Sequence, residues 1–224
     1  MNSIPGIPSS FFTSQPQGVA TTVQLLFILT ILSLAPAILI MMTSFTRIIV
    51  VLSFVRTSLS TQQAPPNQVL IGLALFLTFF IMGPVYGQVN TNAIQPYLKG
   101  NISQQQAIKK AEAPVKEFMA KQTRQKDLDL FMSYGKYKMP SKIDDIPLTA
   151  LIPAFTISEL KTAFQMGFMI FIPFLVIDMV VASILMAMGM MMLPPVMISL
   201  PFKILLFIMV DGWYLIVASL LKSY

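Results

Sequence analysis

Charged residues are missing from two long stretches of this chain. No Asp, Glu, Lys or Arg occurs in residues 1–46 or in residues 57–98. Each stretch contains an apolar run of about 20 residues, which is the length of helix that crosses the hydrocarbon core of a bilayer. Only 11% of the residues are charged, against about 25% in an ordinary soluble domain. The pattern predicts an all-α, membrane-associated protein.

The remaining charges are concentrated in one segment. Residues 88–147 hold ten of the fifteen Lys and Arg residues and six of the nine Asp and Glu residues. We therefore predict a polar, helical insert over 88–147 between two apolar helical hairpins, over 19–87 and 148–224. Residues 1–18 are uncharged and rich in Pro and Ser, and we expect a flexible leader without the basic start of a cleaved signal peptide.

Prolines mark the predicted turns and bends of both hairpins. Each hairpin reads as an apolar run, a double proline and a second apolar run, and this weak internal repeat predicts two similar tips. Proline lacks an N–H group and restricts the residue before it, so a helix ends or bends there. The prolines assigned to hairpin tips and kinks are Pro65, Pro66, Pro173, Pro194 and Pro195.

Local patterns predict where three helices begin. Ser103 can cap a helix in the insert that Pro114 kinks or restarts, and a second short helix follows over 127–134. Thr156 and Glu159 have the spacing of a capping box, which predicts a long helix beginning at Thr156. Lys and Arg favour the cytoplasmic side of a membrane, so the region with Arg47 is predicted to lie inside and the insert outside the cell membrane.

The composition excludes most enzyme classes. The chain has no Cys and no His, so it lacks disulfides, thiol nucleophiles, His-ligated metals and the usual near-neutral general base. We expect no enzymatic activity, no cofactor and no metal. The insert is rich in Lys, but interleaved acids such as Glu112 and Glu117 give i,i+4 pairs typical of a solvated helix, so nucleic-acid binding is not expected.

A few charges interrupt the apolar runs and need partners. A charge at the bilayer centre costs about 2.5–3.5 kcal/mol on insertion scales. Asp178 and Lys203 lie on successive arms of the second hairpin, which predicts an ion pair within the chain or between copies. Asp211 precedes Gly212 at a possible helix break or interface. The other charges predicted to be buried are Asp211, Glu159, Arg47 and Arg56. The two arginines are predicted to face different partners, such as lipid headgroups and a neighbouring subunit.

Methionines gather before the second double proline. Five of the seventeen methionines lie within seven residues: Met186, Met188, Met190, Met191 and Met192. Methionine is flexible and fills irregular gaps, so a cluster of this kind is often plain core packing. At a hairpin tip repeated around an axis, however, it would form a ring of soft apolar side chains. Such a ring can exclude water and ions and still part around a polymer.

Four motifs give the chain a specific resemblance. These are FTRIIVVLSFVR (45–56), QQAPPNQVL (62–70), PAFTISELK (153–161) and GMMMLPP (189–195). In this order they closely resemble the FliP family of flagellar export-gate proteins, whose injectisome counterparts are called SctR.

The resemblance implies a function. Members assemble as five copies with FliQ-like and FliR-like subunits into a helical, conical gate in the inner membrane and the flagellar basal body. The gate works with FlhB and FlhA, contacts membrane lipid and exports unfolded flagellar substrates through a closed pore. Met190, Met191 and Met192 match the family's gasket, with Met188 and Met186 beside it, and Asp178 and Lys203 match a pair between subunits.

Three other functions remain open from the sequence. The chain could belong to the export gate of an injectisome, although TQQAPPNQ (61–68) is typical of flagellar members. It could also be a proton channel or secondary transporter in which Asp178 and Asp211 titrate. An intramembrane aspartyl protease would use the same two acids as a dyad. The available partner Lys203 and the lack of a Gly-x-Gly-Asp element argue against the protease.

Overall fold

The computed structural model describes the backbone of residues 16–61, 63–138, 140, 142–190 and 192–224, with the side chains of residues 16–22 and 39 left aside. Every regular element in these ranges is a helix, which confirms the all-α prediction. Most of the predicted leader and Met191 lie outside the described residues. The α-helices are α1 (Pro16–Met41), α2 (Phe45–Ser58), α3 (Asn67–Val89), α4 (Gln95–Leu98), α5 (Gln104–Gln122), α6 (Gln125–Tyr134), α7 (Leu148–Ala187), α8 (Pro195–Met209) and α9 (Gly212–Lys222).

The chain divides into two units, residues 1–40 and 41–224. The first unit contains nearly all of α1, which continues through Pro36 without a break. The described side chains of this helix are almost all exposed. Because apolar side chains avoid water, this helix is suited to a lipid or protein environment.

The core of the second unit lies between α2 and α7. Ile48, Val51, Leu52 and Val55 recur at helical spacing on α2 and are fully or almost fully buried. A Cβ atom at Gly167 of α7 would lie 2.4 Å from Cγ of Phe54, so only glycine allows this approach of the two helices. The two hairpins therefore pack against each other through α2 and α7.

The polar insert is helical and rests on the apolar part of the chain. Met119 of α5 and Met132 of α6 are buried in a second core cluster with Leu151 and Phe155 of α7. Ser103 caps α5 with Gln106 in a complete capping box, as predicted. The insert thus depends on α7 for its hydrophobic core.

Two further predictions concern α5, namely its i,i+4 ion pairs and a kink or restart at Pro114. The i,i+4 ion pairs of α5 are formed, with Nζ–Oε1 distances of 2.9 Å for Lys116–Glu112 and 2.7 Å for Lys121–Glu117. Pro114 lies inside a continuous α5, so the helix does not restart there, and a kink at this residue stays a prediction. Its ring is accommodated where the buried face of α5 meets its neighbours.

Proline positions explain where several helices start. Pro66, Pro147 and Pro194 occupy the N-cap positions of α3, α7 and α8, and Pro195 is the first residue of α8. A helix start suits proline because its first N–H groups have no intrahelical acceptor. The double prolines therefore lie at the hairpin turns, as the sequence indicated. Pro173 lies inside α7, which continues past it, and the bend predicted there stays a prediction.

The capping box predicted at Thr156 is wrong. The helix α7 begins at Leu148, eight residues earlier, and Thr156 lies within it, donating from Oγ1 to the carbonyl of Ile152 at 2.9 Å. Glu159 does not reach back to Thr156, because its carboxylate binds Arg47. The predicted end of the first hairpin at residue 87 falls inside a helix. Helix α3 continues to Val89, and a π-helical turn, Asn90–Ile94, connects it directly to α4.

Among the described residues, two helical stretches are long and apolar enough to cross a membrane. They are Asn67–Leu98 and Leu148–Ala187, and α8 with α9 passes the same test as one stretch bent by 63°. The bend falls at Asp211, which adopts a left-handed backbone with φ 50°. These lengths agree with a membrane-associated protein.

Candidate functional site

The turn between α7 and α8 carries the methionine cluster, and we call residues 186–193 the Met-rich turn. Helix α7 ends there in a Schellman motif, in which the N–H of Met190 donates to Leu185 O and that of Gly189 to Met186 O, both at 3.0 Å. Gly189 has φ +74°, a left-handed conformation that glycine adopts without strain. The sequence MGM thus ends the helix before the double proline begins the next one.

The described methionines of this turn point away from the chain's own core. Met186, Met188 and Met190 are 60%, 59% and 44% exposed, and Met192 is 99% exposed. A soluble protein rarely presents such a contiguous apolar tip, because its exposure to water is unfavourable. The cluster is therefore not core filling within one chain and provides a surface for contact with something else.

Asp178 and Lys203 meet beneath this turn. The Nζ atom of Lys203 lies 2.6 Å from Oδ2 of Asp178 and 2.6 Å from Oγ of Ser60. Ser199 donates a hydrogen bond to the other carboxylate oxygen of Asp178. Lys203 is 1% exposed, so these contacts replace the water that its ammonium group loses on burial.

The same contacts join the two hairpins. Ser60 lies in the turn after α2 and has a left-handed backbone with φ 58°. Lys203 belongs to α8 and Asp178 to α7, so one ammonium group holds three elements together. Asp178 and Lys203 therefore form an ion pair within one chain, and a pair between copies stays a prediction.

A second buried ion pair lies at the other end of α2. Arg47 binds the carboxylate of Glu159 through two nitrogens, and the Nε–Oε2 distance is 3.0 Å. Their side chains are 2% and 0% exposed. Bidentate geometry of this kind is the strongest form of an arginine–carboxylate contact.

Residues near the end of the chain complete this network. Arg47 donates to the carbonyl of Ser223 at 2.8 Å and to Oε1 of Gln122 at 3.1 Å. The hydroxyl of Tyr224 donates to Oε2 of Glu159 at 2.6 Å, and its ring centroid lies 3.9 Å from Cζ of Arg47. Burial and the nearby Glu159 carboxylate raise the pKa of Tyr224, so the phenol stays protonated and remains a donor.

A third polar contact attaches α6 to α7. Asp127 accepts a hydrogen bond from Ser158 at 2.6 Å and pairs with Arg124, with 2.6 Å between Oδ2 and a guanidinium nitrogen. Burial opposes ionisation of Asp127, but these two partners and the charge of Lys161 outweigh it and hold the pKa of its carboxyl below the usual range. The carboxylate is therefore charged at neutral pH.

Comparison of the sequence with known proteins identifies its family. A sequence model described as the FliP family matches residues 28–220. The flagellar biosynthetic protein FliP of Bacillus subtilis (strain 168) is 68% identical over 214 residues, which cover 96% of this chain and 97% of that protein. The proteins of the same name from Pectobacterium carotovorum and Aquifex aeolicus are 52% and 54% identical, covering 99% and 91% of this chain and 86% of each relative.

The chain belongs to the FliP family.

The remaining predicted charges of this FliP-family chain are Arg56 and Asp211. Arg47 and Arg56 face different partners, as predicted, but both partners belong to the same chain: Arg56 donates to the side-chain oxygen of Asn67. Buried pairing removes Arg47 from the loop charges on which the predicted orientation depended, and that orientation stays a prediction. Asp211 lies at the predicted helix break, but its prediction as a buried charge is wrong, because it is exposed in this chain.

Sequence reasoning missed several residues of these networks. The sequence carries no signal for four of them, because single polar residues in or near helices are common: Ser60, Gln122, Ser158 and Tyr224. The one available signal was the small number of charges in the apolar runs, which leaves Glu159 few possible cationic partners, although Arg47 is 112 positions away along the chain. The methionine cluster, by contrast, was visible from composition alone.

Proposed function

We propose that this FliP-family chain is a core subunit of the flagellar type III protein export gate. In this proposal several copies surround a passage, and their Met-rich turns together close it. The observation that carries the proposal is the exposed methionine cluster at the end of a hairpin. The relatives are flagellar biosynthetic proteins by name, which supports a flagellar export apparatus over an injectisome or a small-molecule transporter.

The physical basis of closure is the chemistry of methionine at a narrow constriction. An apolar ring expels water, and ions that would have to lose their hydration do not pass. Methionine has three rotatable side-chain bonds, so the ring can repack around an unfolded polypeptide of irregular width. Gly189 and the prolines after the turn set its position, and the methionines supply a deformable surface.

Assembly is proposed because one chain leaves too much apolar surface uncovered. Large side chains on the outer faces of α3, α7 and α8 are exposed, among them Phe76 at 77%, Phe168 at 63% and Met197 at 67%. Five copies with FliQ-like and FliR-like subunits, together with lipid, would cover these faces. FlhB, FlhA and the unfolded substrates are the further proposed partners, and the proposed location is the inner membrane within the flagellar basal body.

The proposed role is not enzymatic. Both oxygens of Asp178 are bonded to Lys203 and Ser199, so this acid serves to hold α7 and α8 in register. Lys203 extends the same contact to the first hairpin through Ser60. In the gate these contacts would keep the Met-rich turn at a fixed height relative to both hairpins.

The test is the ion conductance of the assembled complex. Met190, Met191 and Met192 are replaced together by Ala in a chain co-expressed with its FliQ-like and FliR-like partners, and the purified complex is placed in a planar bilayer. We expect a leak current that the wild-type complex lacks, because shorter side chains cannot close the ring. The matched control is Met209→Ala, an exposed methionine at the far end of α8.

Two results would remove the proposal. A triple variant that assembles normally and conducts no more than wild type contradicts closure by the Met-rich turn. A wild-type complex whose native mass corresponds to one or two copies of the chain contradicts a ring of subunits. The control variant must stay closed, since a leak from Met209→Ala would show that any lost methionine disturbs the assembly.

A further inference from the structure

An apolar groove lies between α7 and α9, on the outside of the helical unit. It has a volume of about 360 Å³. Its walls are Met166, Met169 and Ile170 of α7, and Leu215 and Ile216 of α9. None of the charged residues of the chain lines it.

The two helices run antiparallel along the groove, so its ends can be assigned. Arg47 binds both Glu159 of α7 and Ser223 after α9, which places the end of α9 beside the first half of α7. The polar lining residues Gln165 and Ser219 lie toward that end, and the residues at the other end are apolar. The groove is therefore amphipathic along its length.

Two lysines extend the polar end. Lys161 lies four residues before Gln165, and Lys222 lies three residues after Ser219, so each continues the groove-lining face of its helix. Both lysines are exposed, and neither forms an ion pair within the part of the chain that the structure describes. The acid whose pKa responds to Lys161 is Asp127, which is already paired with Arg124.

The dimensions suit one lipid chain. From Lys161 to Ile170 the helix rises about 14 Å, which is close to half of the roughly 30 Å hydrocarbon core of a bilayer. A helix of this length and about 10 Å diameter occupies about 1,100 Å³, three times the groove, and would rest only on its rim. An acyl chain is narrow enough to lie inside.

We infer that this groove binds one anionic membrane phospholipid. The phosphate would lie between Lys161 and Lys222, and an acyl chain would run past Met169 toward Leu215. The ammonium groups of Lys161 and Lys222 form no ion pair among the described residues and complement the negative headgroup, and the apolar walls complement the acyl chain. The inference rests on the groove alone and does not depend on the proposed export function.

The chain contains one tryptophan, which makes the site measurable. Trp213 is 38% exposed, packs edge-on against Phe207 with 5.3 Å between ring centroids, and lies one turn before Ile216 at the apolar end of the groove. The full chain is reconstituted in phosphatidylcholine vesicles containing a small fraction of phosphatidylglycerol brominated on its acyl chains. Bromine quenches tryptophan fluorescence only at short range, so quenching reports an acyl chain beside α9.

We expect brominated phosphatidylglycerol to quench Trp213 at much lower mole fractions than brominated phosphatidylcholine. The variant Lys161→Gln with Lys222→Gln should lose most of this preference, with about thirtyfold weaker apparent binding if each lysine contributes as surface lysines usually do. The matched control replaces Lys109 and Lys126, two exposed lysines of the insert, by Gln and should keep the preference.

A second variant tests whether the acyl chain occupies the groove. Ser219→Leu fills the groove near its polar end and should reduce quenching by the brominated anionic lipid while leaving both lysines in place. Equal quenching of wild type by the two lipids would overturn the headgroup site. Retention of the preference in the Lys161 and Lys222 double variant, or its loss in the insert control, would also overturn the inference, whatever the conductance of an assembled gate.

Discussion

Removing Glu159 should destabilise the protein strongly, because it leaves a buried guanidinium group without its counter-ion. Arg47 and Glu159 are 2% and 0% exposed, so water screens neither charge. In Glu159→Ala, Arg47 keeps only the neutral acceptors Gln122 and Ser223, and the Tyr224 hydroxyl loses its carboxylate partner. Breaking a buried pair from one side costs about 3–5 kcal/mol, or roughly 6–20 °C in midpoint for a chain of this size.

The matched variant replaces both partners. Arg47→Met with Glu159→Leu removes both charges and keeps similar volume, and such replacements are often neutral in other proteins. We expect the double variant to recover most of the stability lost in Glu159→Ala. Thermal unfolding of the purified full chain in detergent, followed by circular dichroism at 222 nm, measures all three proteins.

An exposed pair provides the control. Lys121 and Glu117 are 66% and 50% exposed, so Glu117→Gln should change the free energy of unfolding by less than about 0.5 kcal/mol. If Glu159→Ala melts within a degree or two of wild type, the pair is not desolvated as described. If the double variant is no more stable than Glu159→Ala, the loss does not come from a stranded charge.

Three further predictions concern stability. Because the pKa of Asp127 is depressed in the folded protein, its ionised carboxylate stabilises the fold above the ordinary pKa of 3.8, and this stabilisation is lost as the pH falls through the lower folded value. The difference in melting temperature between wild type and Asp127→Asn should therefore be constant near neutral pH and shrink below about pH 4. A difference that grew below about pH 4 would contradict the assignment. Gly167→Ala should cost about 1–3 kcal/mol by displacing Phe54, whereas Gly72→Ala, with no atom within 4 Å of the new methyl group, should be neutral or stabilising in the same melts. Ser103→Ala should cost about 1 kcal/mol by removing the cap of α5, measured as faster amide hydrogen exchange in its first turn, and unchanged exchange there would refute the role of the cap.

Local features were predictable from the sequence because their causes lie within a few residues. The cap at Ser103, the i,i+4 pairs of α5 and the turns at the double prolines each depend on neighbours along the chain. The methionine cluster was equally visible, since Gly189 and the prolines show that a helix ends beside it. These features also contain most of the evidence for the proposed function.

Long-range partners were not predictable in the same way. Thr156 and Glu159 have the spacing of a capping box, but Glu159 is bound to Arg47, 112 residues earlier, and this contact outweighs the local one. The helix starts instead after Pro147, where the chain leaves the insert. A short motif in an apolar run can therefore indicate a buried ion pair rather than a helix start.

The ammonium group of Lys203 has a mechanical consequence. It is the shared anchor of Asp178 in the second hairpin and Ser60 in the first, with 2.6 Å to each. A displacement that carried α8 away from Ser60 would leave a positive charge in a dry environment with one neighbour fewer. Moving the two proline turns apart therefore requires the contact between Lys203 and Ser60 to break first, so this contact resists separation of the two hairpins at that point.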